Sequence, residues 1–216
     1  MFSMTTLVVA FVCCFISILL AFAIHEYAHA ITAYKLGDPT PKYEGRITLN
    51  PFVHLDVVGA IVLMLSLLST GGRVVIGWGK PVRFNSEAMS DPILHGAMVA
   101  FAGPFSNFLL AVVAGLPVKL GLVPIPVLAD ALAHLAGVNV ALFIFNMIPF
   151  PPLDGWKVLQ AFLPRSVAYQ MRNVEASWGM VPMYGLMGVI YLFGGFILGP
   201  PYAFIMAVLV GRLPIQ

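Results

Sequence analysis

Apolar residues in this chain fall in long runs, and polar residues gather in short connectors between them. Leu7 to Ile24 is an 18-residue apolar run, long enough for most of a membrane crossing. Its helix should continue to about Tyr34, where Leu36-Gly37-Asp38-Pro39 stops it. Pro41 to His54 is polar, and Tyr43 to Leu49 reads as a short strand. Val57 to Leu68 is a weaker apolar stretch closed by Gly71-Gly72, and Val74 to Val82 is a second strand-like piece. Pro92–Val118 and Ile125–Ile148 are strong spans. The backbone then breaks at Pro149, Pro151 and Pro152, and a helix is expected from Asp154 to about Leu163. Trp178–Leu198 is a further span, interrupted by Gly199-Pro200-Pro201. Tyr202–Gly211 is too short to cross unaided.

The pattern predicts an all-α polytopic membrane protein. It would be a bundle of about five to six spans, with a re-entrant, strand-like, membrane-associated segment between the first two strong spans. Composition agrees: 60% of residues are hydrophobic and 9% are charged, with mean hydropathy +0.96. Soluble domains carry about 25% charged residues. No polar stretch is long enough for an appended soluble domain, so residues 1–216 are expected to form one integral membrane domain. The net charge of +2 comes with no basic stripe of the kind that binds nucleic acid. Cys13 and Cys14 are adjacent in an apolar helix and read as packing residues. Met1 to Thr6 lacks a basic residue, which argues for a first span that is retained.

Charge sets the orientation. With the first span running outward-to-inward, Lys35, Lys42, Arg46, Arg73, Lys80, Arg83, Lys157, Arg165 and Arg172 are cytoplasmic and Lys119 is outside. That arrangement needs an even number of crossings between His29 and Pro92, which favours re-entry of Val57–Leu68. It also brings His29 and the proline break to the same membrane face.

The chemistry sits in the first span. His25-Glu26-Tyr27-Ala28-His29 reads H-E-x-x-H, which puts two imidazoles on one helical face. By composition the motif is expected about 0.005 times in such a chain, and titratable groups at membrane depth mark function. Catalytic zinc takes three protein ligands and keeps one open position. Asp154, Asp56, His54, Glu44, His95, Asp130 and His134 are the possible third ligands. Asp154 is preferred because three prolines unwind the chain before it and Gly155 permits close backbone approach; His54 and Asp56 are the main alternatives, and a helix cap is the competing use of Asp154. Glu26 suits a general base, and Asn146 suits a donor to a developing oxyanion. Backbone groups freed around Ile148–Pro152, with Gly45–Leu49, suit the holding of an extended peptide.

HEYAHA, GRITLNPFVHLD, GWGKPV, AGPFSN and NMIPFPPLDG together resemble the site-2 protease family of intramembrane zinc metalloproteases, in particular small prokaryotic members without a PDZ or CBS domain. The resemblance runs from about Ile18 to Leu163. It implies Zn2+ bound by His25, His29 and Asp154, Glu26 as catalytic acid/base, Asn146 near the scissile carbonyl, and a structural role for Asn107. It further implies a multi-pass protein of the cell membrane, its active site toward the cytoplasm. Its substrates would be transmembrane helices of other proteins. Two other uses of the cluster stand beside it. One is a cation or proton binding or transport protein built on His25, Glu26, His29 and Asp154. The other is a different H-E-x-x-H protease with a downstream Glu ligand, for which Glu87 and Glu175 are the candidates.

Overall fold

The computed structural model describes residues 4–70, 77–178 and 181–211. The described residues form helices α1 (Met4–Lys35), α2 (Thr40–Tyr43), α3 (Pro51–His54), α4 (Val57–Thr70), α5 (Pro92–Lys119), α6 (Pro126–Asn146), α7 (Asp154–Gln160), α8 (Arg165–Trp178), α9 (Val181–Ile197) and α10 (Gly199–Leu209). A single 3-10 turn at Ser86–Ala88 precedes α5. Among the described residues, three helices are long and apolar enough to cross a membrane: α1 from Val12, α5 and α6. A crossing needs about 20 residues; α4 has 14, α9 has 17 and α10 has 11.

One stripe of α1 explains how the first span packs. Ser17, Ala21, His25, His29 and Ala33 recur at intervals of four, and all are buried. Val12, Ile16 and Leu20, on another face, are exposed, as lipid contact requires. Small residues do the same for α5, α6 and α10, where Ala111, Ala114 and Ala136 meet Val140, Met206 and Leu209. Without a hydrophobic drive between helices in lipid, close approach of small residues supplies the packing. Ala33 continues the α1 stripe into a second cluster with Met89 and Val99.

The expected strand at Tyr43–Leu49 is not formed. Pro41 sits in the first turn of α2, and that helix and the Gly45 turn (φ 67°) occupy the segment instead. The N–H of Arg46 then donates to Pro41 O at 2.8 Å, folding the chain back on itself. The Arg46 guanidinium is buried and donates to Val53 O at 2.8 Å, so the loop satisfies its polar groups internally rather than through a ladder. In the second strand-like piece, Val74–Ile76 lie outside the described residues. The rest makes one isolated antiparallel bridge, Leu55 to Gly79, backed by Lys80 N–H donating to His54 O at 2.8 Å.

Asp38 ties this connector to the end of α1. It is fully buried; one carboxylate oxygen accepts from Thr40 N–H at 3.0 Å, and the other accepts from Asn85 N–H at 2.6 Å. Gly37, at φ 107°, provides the left-handed turn that brings Asp38 inward.

The polar connector after Leu163 is also helical. α8 is amphipathic and is held by ion pairs, Lys157–Glu175 at 3.0 Å, Arg165–Asp91 at 2.7 Å and Arg172–Glu87 at 2.6 Å. Asp91 caps α5, accepting from Leu94 N–H at 3.1 Å; that bond, helped by Arg165, holds its carboxyl below the ordinary range.

Candidate metal centre

Three side chains from two distant parts of the chain converge: His25 and His29 of α1, and Asp154 at the start of α7. Their Nε2 atoms lie 2.9 Å apart, and each is 3.3 Å from Asp154 Oδ2. Both imidazoles are buried and the carboxylate nearly so, at 18% side-chain exposure.

Hydrogen-bond polarity decides what these atoms are. His29 Nδ1 lies 2.7 Å from Val99 O, and a carbonyl only accepts, so Nδ1 carries the proton. Asn107 Nδ2 donates to Ala21 O at 3.1 Å and to Asn139 Oδ1 at 2.8 Å, which fixes its other terminal atom as oxygen. That oxygen lies 2.6 Å from His25 Nδ1, so this ring also donates through Nδ1. Asn139 Nδ2 in turn donates to Leu135 O at 2.8 Å, which fixes its own orientation. In the neutral rings both Nε2 atoms therefore present lone pairs to each other and to a carboxylate oxygen. Three electron-rich atoms facing one another in a buried space repel unless a cation lies among them. A tetrahedral zinc ion with bonds of about 2.0 Å separates its ligands by about 3.3 Å. The two carboxylate–imidazole edges match that spacing, and the imidazole–imidazole edge, at 2.9 Å, is somewhat shorter. The donor set fits zinc in its chemistry, and two of its three edges fit in span.

The local chain explains why the three can meet. α6 ends at Asn146, and irregular backbone through Pro149 and the Pro151–Pro152 pair leads to α7. Leu153, not Asp154, occupies the N-cap position, and no side chain caps the helix. Asp154 is thus free of the capping use and turns to the imidazoles. Gly155 packs against the end of α6, where an added Cβ would meet Met147 O and Ile148 O. From the other side, Gly103 of α5 faces the imidazoles: a Cβ there would meet His29 Nε2 and lie 2.7 Å from His25 Nε2.

Glu26 is buried beside the cluster, and its Oε2 accepts from Val82 N–H at 2.7 Å. Asn146 is turned onto its own helix, where Nδ2 donates to Leu142 O at 2.9 Å. The main alternatives for third ligand are occupied elsewhere. His54 Nε2 donates to Thr48 O at 2.9 Å, and Asp56 caps α4 by accepting from Gly59 N–H at 2.8 Å. Asn107, read from the sequence as structural, orients His25 directly. The signal was its place in a glycine-proline motif on a lipid-buried span, where an uncapped amide needs a partner. Asn139, which holds Asn107, carries only the weaker signal of a lone amide on an apolar span, in no such motif.

No protein-family model matches the chain, and no solved structure matches it. Named relatives do. The chain is 33% identical over 197 residues to the Bacillus subtilis protein named "Putative zinc metalloprotease YwhC", a match covering 86% of this chain and 83% of that one. It is 30% identical over 147 residues to proteins named "Putative zinc metalloprotease Rip2" from Mycolicibacterium smegmatis and Mycobacterium tuberculosis. Those matches cover 67% of this chain and 55% of the Rip2 proteins, about half their length. Zinc metalloprotease relatives and a donor set of two imidazoles and a carboxylate agree on the cofactor, which is zinc. With identity at this level across most of both chains, the protein belongs to the site-2 protease family of zinc metalloproteases.

Proposed function

We propose that this protein is an intramembrane zinc endopeptidase that hydrolyses peptide bonds in transmembrane helices near the cytoplasmic face. The observation that carries the reading is the convergence of His25, His29 and Asp154 with Glu26 buried beside them. In this reading the whole chain is one multi-pass domain of the cell membrane. α4 re-enters rather than crosses, and the shorter helices α9 and α10 complete five to six passes. The excess of Lys and Arg at the ends of α1 and α7 supports the cytoplasmic orientation.

His25, His29 and Asp154 are the metal ligands. Zinc supplies a Lewis acid and makes water nucleophilic near neutral pH. The chain's residues do the rest. Asn107 and Val99 O hold both rings with Nε2 toward the ion. Glu26 is the proton acceptor: Val82 N–H holds Oε2, which leaves Oε1 to take the proton of the reacting water and return it to the leaving amine. Asn146 has a second amide hydrogen beyond the one given to Leu142 O, and that hydrogen is available to the developing oxyanion. The proline break keeps its backbone groups free for the unwound substrate.

The test is Glu26→Gln in purified protein, assayed on a model transmembrane helix in detergent. Cleavage should fall by at least about 100-fold, the scale of general-base catalysis, while zinc content stays at wild-type stoichiometry. Undiminished cleavage would remove Glu26 from the mechanism. Metal-dependent ion flux in liposomes without any proteolysis would favour the transport use of the same cluster.

A further inference from the structure

Beside the metal centre lies a cleft of about 580 Å3 that the proposed hydrolysis does not use. Its walls include Val82 and Pro152, so it adjoins the catalytic machinery on two sides. Val82 is the residue whose N–H holds Glu26, and Pro152 stands two residues before Asp154. The remaining wall comes from α5, α7, α8 and the segment before α5.

The chemistry of this wall is unbalanced. Arg83, Lys157 and Arg172 line it against a single lining anion, Glu175. Lys157 is committed to Glu175 at 3.0 Å. Arg172 uses Nη2 for Glu87 at 2.6 Å and for Ser86 Oγ at 3.1 Å. Its Nη1 is buried and has no hydrogen-bond partner. The same is true of Gln160 Nε2, and Gln160 is only 3% exposed. Buried donors are almost always paired in folded proteins, so two orphaned ones in one cleft mark a place for an acceptor. A guanidinium is donor-only, and the excess of positive charge selects an anionic acceptor over a neutral one.

We infer that this cleft is a specificity subsite, receiving the carboxylate of an acidic residue in the polar segment flanking the scissile part of the substrate helix, on Arg172 and Gln160. The inference rests on the endopeptidase reading. A peptide held beside Glu26 and Asp154 runs past Val82 and Pro152, and a side chain a few residues from the cut enters the cleft. Specificity would then come from the soluble flank, since an apolar helix in lipid offers few distinguishing groups.

The experiment uses the full chain in detergent and model transmembrane peptides that differ only by Glu or Gln at successive flank positions. Wild type should prefer glutamate at one position by about tenfold in kcat/KM, as a charge-assisted hydrogen bond predicts. In Arg172→Gln and in Gln160→Leu the ratio should fall toward one, and Arg172→Lys should restore part of it. Zinc stoichiometry checks that each variant is folded. Binding of the same fluorescent peptides to the Glu26→Gln form gives the ratio without hydrolysis. A preference in binding with no cleavage by wild type would therefore count against the endopeptidase and for the subsite. Equal handling of both peptides at every position, with cleavage intact, would overturn the subsite alone. Loss of discrimination together with Arg172-dependent stimulation by anionic vesicles would also overturn it, and would assign the donors to a lipid headgroup.

Discussion

A neutral imidazole can carry its proton on either nitrogen, and at His25 and His29 surrounding oxygens remove that freedom. Val99 O and Asn107 Oδ1 each require a donor, so both Nε2 lone pairs turn toward the Asp154 carboxylate, where an ion would sit. Asn107→Ala leaves the His25 Nδ1–H without its acceptor and frees the ring to turn. Zinc affinity should fall about 10- to 100-fold, as loss of such outer partners does elsewhere, read by competition against a chelator of known affinity. Gly103→Ala is more severe, because the new methyl meets His29 Nε2 and lies 2.7 Å from His25 Nε2. Purified Gly103→Ala protein should hold no stoichiometric zinc by metal analysis. The imidazole pair was legible in the sequence because four residues make one helical step. Asn107 as its orienting partner was not, since the contact joins residues 82 positions apart. Local pattern favoured Asp154 over Asp56 and His54 through the proline break and Gly155, and the structure adds the long-range part: Asp154 lies 3.3 Å from both imidazoles while Asp56 and His54 bond to Gly59 N–H and Thr48 O.

Among elements, α7 shows how a short helix delivers a single atom. Its first residue is the carboxylate, and its second, Gly155, sets how near the helix comes to the end of α6. Gly155→Val should push the helix off Met147 O and Ile148 O and carry Asp154 away. Zinc affinity should drop at least about tenfold, with helical content by circular dichroism unchanged, because the long helices do not depend on this contact. The proline break before α7 was plain from the sequence, as were α1, α5 and α6, whose apolar runs exceed any soluble pattern. α8 was not. Its apolar positions are thinly spread among charges, and what orders it is ion pairing to Asp91, Glu87 and Lys157 in other parts of the chain. The strand-like stretch at residues 43–49 misled in the opposite direction, because Pro41 and the buried Arg46 close that loop on itself.

For the molecule as a whole, an ion held by His25, His29 and Asp154 would join α1 to α7 across the face of α5 and so link metal to fold. Binding to the native state alone adds RT ln(1 + [Zn]/Kd), about 2.7 kcal/mol at 100 times Kd. Thermal unfolding in detergent should shift downward on chelation and recover with added zinc, and His25→Ala protein should show neither response. The all-helical class follows from hydropathy over long windows, which average out local errors. The number of crossings does not, since 14 or 17 apolar residues sit near the threshold where neighbours decide.

The order of synthesis gives the ligand spacing one more effect. Two of the donors enter the bilayer with the opening helix, and the third is not made until residue 154 leaves the ribosome. On the proposed endopeptidase reading, neighbouring apolar segments would be open to attack throughout that interval if the centre were already complete. On that reading, keeping one donor for late in translation disarms the immature chain, because the reactive centre stays incomplete until α7 is made and packs beside α1 and α5.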